Sequence, residues 1–151
     1  MPNEPRDTAR EIARQCVGVR VRMLGRMVSR HFDDALRPHG VKLAQMNLLT
    51  AIALRGPVQP SEVARRLAIE KSTLSRNLKL LQENGWIRTV QGESGNSHLL
   101  ELTAAGKRLY QRAAPTWQTA HDELTELMGD REVRAIHRAT ERVLDAEQTT
   151  E

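Results

Sequence analysis

Hydroxyl and basic side chains are concentrated in one stretch of the chain, KSTLSRNLK, which spans residues 71–79 and contains no acidic residue. A guanidinium group can donate two hydrogen bonds to O6 and N7 of a guanine, and hydroxyl groups can bond phosphates or the edges of bases. This composition therefore favours contact with a DNA duplex. The side chains expected to make the contacts are Lys71, Ser72, Thr73, Ser75, Arg76 and Lys79.

The same stretch can also be interpreted as a solvated helix face, which is the commoner role of a basic helix on an arbitrary soluble protein. Its sequence neighbours change that balance. Leu74, Leu78 and Leu81 recur at helical spacing and predict a helix with its leucine side toward the core and its polar side outward. Gly85 is placed to end this helix.

A shorter helix and a hairpin flank the polar helix. Pro60 can occupy the first turn of a short helix that carries Val63 and Leu67. After Gly85, the runs WIRTV and HLLELT are compatible with β-strands, and the polar loop QGESGNS separates them. A short helix, a tight turn, a helix with a polar face and a hairpin form the order of a winged helix-turn-helix.

Longer helices are predicted before this unit. An apolar stripe of helical period predicts one continuous helix from Thr8 to Leu36, which Pro38 and Gly40 end. The next helix, over residues 43–54, is expected to bury Met46, Leu49 and Ile52. A second apolar stripe on the first helix is wider than one neighbouring helix would cover, so we expect a dimer. This stripe consists of Ile12, Val19, Met23 and Met27.

Two further helices are predicted after the hairpin. Thr103 can N-cap the first of them, and Pro115 should bend it or start a new segment. Asp130 can cap the last helix. The expected inward residues are Leu109, Ala113, Trp117, Leu124 and Leu127 in the first of these helices, and Val133, Ile136, Val143 and Leu144 in the second.

Composition limits the class of protein. The 151 residues suit one ordinary domain, and the aromatic content of 3% is a poor fit to a β-sandwich, so a mainly α fold with one small hairpin is expected. A single cysteine excludes an intramolecular disulfide framework and a cysteine-rich zinc site. Because no apolar run is long enough to cross a bilayer and no signal segment is evident, we expect a cytoplasmic protein.

The charge of the chain points weakly toward a polyanionic partner. The net charge is +4, and the basic excess lies in residues 6–37 and 55–98, whereas residues 107–151 have more acids than bases. There is no glycine-rich phosphate loop, no HExxH motif and no nucleophile elbow, so an enzyme is the weakest alternative.

Three segments together resemble the MarR family of bacterial transcription regulators: RMVSRHFDDALRPHGVKLAQMNLL, PSEVARRLAIEKSTLSRNLKLLQENGWIR and LLELTAAGKRL. The resemblance covers nearly the whole chain. It implies a single MarR-like domain over residues 1–151, with a winged helix-turn-helix at 43–103 and dimerisation helices at about 8–37 and 104–148. It also implies a homodimer on a pseudo-palindromic operator, often released by a small phenolic or lipophilic ligand or by thiol oxidation.

The resemblance also implies contacts by the wing. Arg88, at the start of the wing, is expected near a phosphate. The family's Asp-x-Arg falls on Ser94-Gly95-Asn96, so Asn96 replaces the arginine that would enter the minor groove. We therefore expect this wing to bind DNA weakly. The contact would be made through the Gly95 amides and Asn96, or by another basic residue, for which His98 and Arg88 are the only candidates close in sequence. The uncharged tip leaves one alternative open: a helical dimerisation or interaction module with weak or no DNA binding.

Cys16 and a candidate ligand pocket complete the set of predicted sites. On the apolar stripe, Cys16 is expected to be a small buried hydrophobe; the alternative is a redox sensor whose thiolate is stabilised by Arg14 and Arg20. By analogy with the family, a small-molecule pocket would be lined by Met27, His31, Met46 and Trp117, although core filling is the stronger interpretation of these residues.

No cofactor is expected, and a metal site is disfavoured. His121 beside Asp122 and Glu123, or His31 beside Asp33 and Asp34, could supply ligands to a metal. A lone histidine beside acids on a helix is more often an exposed polar residue, because a tetrahedral site needs three or four convergent ligands.

Overall fold

The computed structural model describes residues 4–93, 95 and 97–149. Within these residues the elements are α1 (Pro5–Gln15), α2 (Val17–Leu36), a 3-10 turn (Arg37–His39), α3 (Leu43–Arg55), α4 (Pro60–Leu67), α5 (Lys71–Glu83), β1 (Ile87–Gln91), β2 (His98–Leu102), α6 (Ala104–Met128) and α7 (Asp130–Thr149). The predicted fold class is confirmed: the chain is mainly α-helical, and a winged helix-turn-helix with one small hairpin lies between long terminal helices.

The first predicted helix is divided in two. Cys16 has an extended backbone, with φ −66° and ψ 104°, so the prediction of one continuous helix over residues 8–36 is wrong at this residue. The apolar period continues across the break, but α1 contains no buried residue that would hold the two segments in line. Gly18, with its low helix propensity, follows directly in the first turn of α2.

The helix-turn-helix is built by α4 and α5. Pro60 begins α4 as predicted, and Ala68 ends it in a left-handed conformation with φ +48°. Such a φ is unfavourable for a residue with a side chain by roughly 1–2 kcal/mol, so the packing of the two helices must outweigh this cost. The N–H of Ile69 donates to the carbonyl of Ala64 over 3.0 Å, which closes the turn.

The end of α5 turns the chain into the wing. Gly85 has φ +70° and its N–H donates to the Gln82 carbonyl, while the Trp86 N–H donates to the Leu81 carbonyl, each over 2.9 Å. This is the pair of bonds of a Schellman motif, which favours glycine at the left-handed position. The predicted role of Gly85 as the residue that ends this helix is confirmed.

The wing is an antiparallel hairpin that is tied back to the helices. Ile87 faces Leu102 and Gln91 faces His98 across the two strands. Val58, in the loop between α3 and α4, exchanges two backbone hydrogen bonds with Leu100, of 3.0 and 2.8 Å. Val58 therefore adds a one-residue antiparallel bridge to β2, which links the hairpin to the segment before α4.

Thr103 caps α6 as predicted. Its hydroxyl accepts from the Gly106 N–H over 3.0 Å and donates to the Gly85 carbonyl over 2.6 Å, so one side chain joins the end of α5 to the start of α6. Pro115 lies inside α6, and the helix continues through it, so no new segment begins there.

Two predictions at the junction of α6 and α7 are wrong. Leu127 is 82% exposed in the single chain, because it lies beyond the residues that pack against the last turns of α6. Asp130 is the first residue of α7 rather than its cap, since Gly129, with φ +94°, ends α6 and its carbonyl accepts from the Val133 N–H. Ile136 and Val143 on α7 are also exposed.

The core lies where α2, α3 and α6 meet the winged unit. Met46, Leu49 and Ile52 are buried as predicted, and so are Leu74 and Leu81, while Leu78 is partly buried. The largest fully buried side chains are Leu36, Leu48, Leu49, Ile52, Val63, Leu81 and Leu109. No helix in the described part of the chain has the length and apolar character needed to span a membrane.

Candidate nucleic-acid interface

The outward face of α5 carries a line of polar side chains. Leu74 and Leu81 are buried, so the opposite side of this helix must face solvent. At 100° per residue, the side chains most nearly opposite the leucines are Ser72, Arg76, Lys79 and Glu83; the first three follow one another at i, i+4 and i+7, and Glu83 ends the row. The first three are exposed. The arrangement presents a hydroxyl, a guanidinium and an ammonium group along one face of α5.

The other predicted contacts lie at the edges of this face. Lys71 and Ser75 are exposed on one side, and Thr73 is partly buried on the other. The carbonyl of Thr73 accepts from Asn77 Nδ2 over 3.0 Å, and its hydroxyl accepts from Arg76 Nη2 over 3.4 Å. Thr73 is therefore placed to orient Arg76 as well as to contact a ligand.

An acidic residue ends the polar line. Lys79 Nζ lies 3.8 Å from Glu83 Oε1, one helical turn further on. Both side chains are more than half exposed, so this pair holds Lys79 only weakly and leaves it available to a phosphate.

The position of α5 is set by the wing as well as by the core. Gln82 Nε2 donates to Thr89 Oγ1 over 3.1 Å, which links the end of α5 to β1. Trp86 is partly buried against the core, next to Gly85. Neither Gln82 nor Thr89 was predicted to contribute to the site, because a bond between two surface side chains seven residues apart has no periodic signature.

Arg88 is engaged within the hairpin. Its Nε lies 2.6 Å and its Nη2 lies 2.5 Å from Glu101 Oε1, and the two residues face each other across β1 and β2. The prediction that Arg88 lies near a phosphate was made without this partner, and it stays a prediction. Glu101 could be identified as the partner of Arg88 only once the register of β1 and β2 is known.

The tip of the wing is described in part. Ser94 and Asn96, on which the predicted minor-groove contact depends, lie outside the described residues. Next to them, Gly95 has φ +72° and its N–H donates to the Gly92 carbonyl over 3.0 Å. The Gly95 amide that was expected to face DNA thus closes a local turn.

Cys16 is a free cysteine at the junction of α1 and α2, and it is partly exposed rather than buried. Arg14, one of the two arginines expected to approach it, places Nη2 3.0 Å from Glu11 Oε2 instead. Arg20 is exposed. Cys16 is thus partly exposed as a residue, and the guanidinium of Arg14 is paired with a carboxylate.

The four predicted pocket residues have different surroundings. Met46 is buried in the core, whereas Met27 is 56% exposed. His31 Nε2 lies 3.0 Å from the Ala120 carbonyl and 3.3 Å from Glu123 Oε2, so it joins α2 to α6. The Trp117 ring stacks against Phe32 and against His121, with ring centroids 6.1 and 5.1 Å apart, respectively. His31, Phe32, Trp117 and His121 therefore form a layer of aromatic and imidazole rings between α2 and α6.

The acidic neighbours of His31 and His121 do not form a metal site in the described part of the chain. Among the described residues, no cluster of three or more His, Cys, Asp or Glu side chains has the geometry to hold a metal ion. The imidazole of His121 stacks on Trp117, and Asp33 accepts the Leu43 N–H over 2.8 Å, so both are used within the fold.

A family model described as MarR family matches residues 39–95. The chain is also similar to the M. tuberculosis transcriptional regulator MosR, as seen in its crystal structure. The two sequences are 30% identical, the match covers 85% of this chain and 97% of MosR, and the TM-score is 0.71. This chain belongs to the MarR family. The MarR-family chain also matches the crystal structure of MosR in complex with DNA, at 29% identity and a TM-score of 0.77, over 90% of this chain and 98% of that one.

Among curated proteins, two relatives are either less identical or match over a shorter part of the chain. The multiple antibiotic resistance protein MarR of Escherichia coli is 24% identical over 85% of this chain and 90% of its own length. YwoH of Bacillus subtilis, an uncharacterized HTH-type transcriptional regulator, is 30% identical over 86 residues. That match spans 57% of this chain and 63% of YwoH, less than two thirds of its length.

Proposed function

We propose that this MarR-family chain is a sequence-specific, double-stranded DNA-binding transcriptional regulator that acts as a homodimer on a pseudo-palindromic operator. The observation that carries the proposal is the exposed line of Ser72, Arg76 and Lys79 on a helix whose other side is anchored by Leu74 and Leu81. A similar structure, that of MosR, has been solved in complex with DNA. A rigid helix with hydroxyl and basic groups outward is suited to a major groove.

The homodimer is supported by the surface of the single chain. Its accessible area is 11111 Å², whereas a compact monomer of 17.1 kDa exposes about 7,700 Å². Among the described residues, nine of the eleven large exposed apolar side chains lie on α1, α2, α6 and α7. A standard interface removes about 800 Å² from each partner, so these helices have ample surface for one. The nine are Ile12, Val17, Val19, Val21, Met23, Met27, Leu127, Ile136 and Val143.

The parts of the chain then have distinct roles. The chain forms one MarR-like domain. Within it, residues 43–103 form the winged helix-turn-helix that contacts DNA, and the terminal helices, at about 8–37 and 104–148, pair with those of a second subunit. A regulator of this kind works where the chromosome lies, so we infer a cytoplasmic location and no enzymatic activity. Control by a small ligand or by an oxidant follows from the family, with Cys16 and the layer around His31 and Trp117 as candidate sites.

Genome-wide selection of DNA fragments by the purified protein tests this function. Two reading helices related by a twofold axis should reach half-sites one helical turn apart, roughly 34 Å, so an inverted repeat should be recovered. A single half-site would contradict the dimeric mode. Recovery of no sequence preference would contradict specific reading.

Fluorescence anisotropy separates this proposal from the alternative of an interaction module. Mixed genomic fragments should bind at low salt and dissociate as salt rises, because phosphate contacts release counterions. The double variant Ser72→Ala/Arg76→Ala should lose the selected sequence, while Arg108→Gln, an exposed arginine on α6, should retain it. Absence of measurable binding at low salt would favour the interaction module.

A further inference from the structure

A broad groove lies between α2 and the start of α3, away from the reading helix. Its volume is about 1090 Å³, and no residue of α4, α5 or the hairpin lines it. Gly25, at which an added Cβ would meet nothing within 4 Å, leaves the α2 side of the groove open. The groove is at the upper end of the size of small-molecule sites, which is roughly 300–1,000 Å³.

The groove is lined by unpaired cations. Arg22, Arg26 and Arg30 follow one another at i, i+4 and i+8 on α2, and Lys42 precedes α3 on the other side. Within the described part of the chain, none of the four has a carboxylate partner. Like charges at this spacing destabilise a helix, so the row is unfavourable without a counter-charge.

The acids of the groove are already engaged. Asp33 accepts the Leu43 N–H over 2.8 Å and so satisfies the first turn of α3. Asp34 forms an ion pair with Arg37 on the same turn. The lining of the groove contains five cationic side chains and two carboxylates, so it keeps a net positive charge even with both acids ionised.

We propose that this groove binds a small molecule with several phosphate groups, of the class of an inorganic polyphosphate or a nucleoside triphosphate. Guanidinium groups bind phosphate oxygens in pairs, and three of them one helical turn apart extend over about 12 Å, since each residue of a helix rises 1.5 Å. A monoanion can satisfy one of these groups, whereas an elongated polyanion can satisfy the row. Lys42, which precedes α3, and Gln45, in its first turn, would contact the same ligand from the other side of the groove.

This site has a consequence for regulation that rests on the proposed function. The ligand would bridge α2, which belongs to the dimerisation helices, and α3, the first helix of the winged unit. A molecule bound to both elements favours one relative position of the two, and it changes DNA affinity only if that position differs from the DNA-bound one. The binding itself does not require that the chain recognise DNA.

Equilibrium dialysis of the purified full-length protein against tripolyphosphate, without DNA, tests the binding at 0.15 M NaCl. We expect one tripolyphosphate per protomer, tighter binding of ATP than of inorganic phosphate, and no saturable binding of benzoate. The variant Arg26→Gln/Arg30→Gln should weaken tripolyphosphate binding at least about tenfold, because two charge-assisted contacts to phosphate oxygens are lost. The control Arg108→Gln/Arg112→Gln removes the same charge at the same spacing from α6 and should bind as the native protein does.

Three results would overturn the proposal. One is equal weakening by the two double variants, which would indicate binding governed by net charge. Another is dissociation of the dimer by Arg26→Gln/Arg30→Gln in sedimentation analysis, which would assign the row to the subunit interface. The third is a loss of non-specific DNA binding as large as the loss of tripolyphosphate binding, which would make the groove a track for the DNA backbone. Failure to select any DNA would instead contradict the proposed function and leave the dialysis result unaffected.

Discussion

Arg76 is the side chain best placed to read a base. It is exposed near the middle of the outward face of α5, and the Thr73 hydroxyl holds one of its nitrogens at 3.4 Å. Lys79, one turn further on, presents a point charge on a flexible stem, which suits a phosphate better than a base. At the residue scale the two side chains should therefore differ in what their removal changes.

Replacement of Arg76 with Ala should reduce affinity for the selected operator by roughly 1–3 kcal/mol and relax preference at one base position, because a bidentate contact to guanine is lost. Anisotropy titrations with the operator and its single-base variants measure both effects. An unchanged pattern of preference would show that Arg76 does not read a base.

Replacement of Lys79 with Ala should weaken binding to specific and random DNA alike. A dimer loses two lysines, so the plot of log K against log salt should become shallower by about two units if both contact phosphate. Titrations at four salt concentrations give this slope. A normal slope with altered base preference would reverse the roles of Lys79 and Arg76.

Cys16, a partly exposed free cysteine, allows a test of oxidative control. If oxidation of this residue regulates the protein, peroxide should release DNA from the native protein and not from Cys16→Ser, and a thiol reductant should restore binding. Gel-shift assays before and after peroxide treatment measure the release. Equal release from both proteins would exclude Cys16 as the sensor.

At the scale of elements, short-range contacts at the junction of α5, β1 and α6 hold the winged unit together. Thr103 bonds the end of α5, and Gly106, one turn into α6, lies against Trp86 so closely that an added Cβ would come within 1.9 Å of the Trp86 carbonyl oxygen. Glycine is required there by the approach of two backbones rather than by a special φ. The orientation of α6 relative to the wing depends on this contact.

Gly106→Ala should lower the free energy of unfolding by roughly 1–3 kcal/mol or more, since the new methyl group must displace backbone. Gly25→Ala is the matched control: its Cβ meets nothing within 4 Å, so the higher helix propensity of Ala should raise stability by about 0.5–1 kcal/mol. Urea unfolding at one fixed protein concentration compares the two. Destabilisation of equal size in both variants would contradict the role of the close approach.

At the scale of the whole molecule, the terminal helices carry most of the exposed apolar surface. The proposed pairing of α1, α2, α6 and α7 between two subunits would cover these side chains and account for the large surface of the single chain. Specific DNA binding by two half-sites then depends on the interface as much as on α5.

Met23→Asp should shift the protein from dimer to monomer, because a charge would be buried in the interface. Leu54→Asp places the same charge at a 75% exposed leucine of α3 and should leave the dimer intact. Sedimentation velocity measures the mass of each variant, and the monomeric variant should lose most of its operator affinity. A dimer that tolerates Met23→Asp would place the interface elsewhere.

The sequence alone determined the helices whose apolar residues recur at helical spacing and whose ends are marked by glycine, proline or a capping residue. Leucine spacing predicted the buried side of α5 and hence its outward face, and Gly85 and Thr103 marked the helix ends at which they lie. Pairings between elements were decided only by the tertiary structure. The partner of Arg88 depends on the hairpin register, the break at Cys16 on the absence of packing around α1, and the charged groove on how α3 lies beside α2. Periodicity describes which side of a helix is apolar, whereas contacts across the chain depend on where each element is placed by all the others.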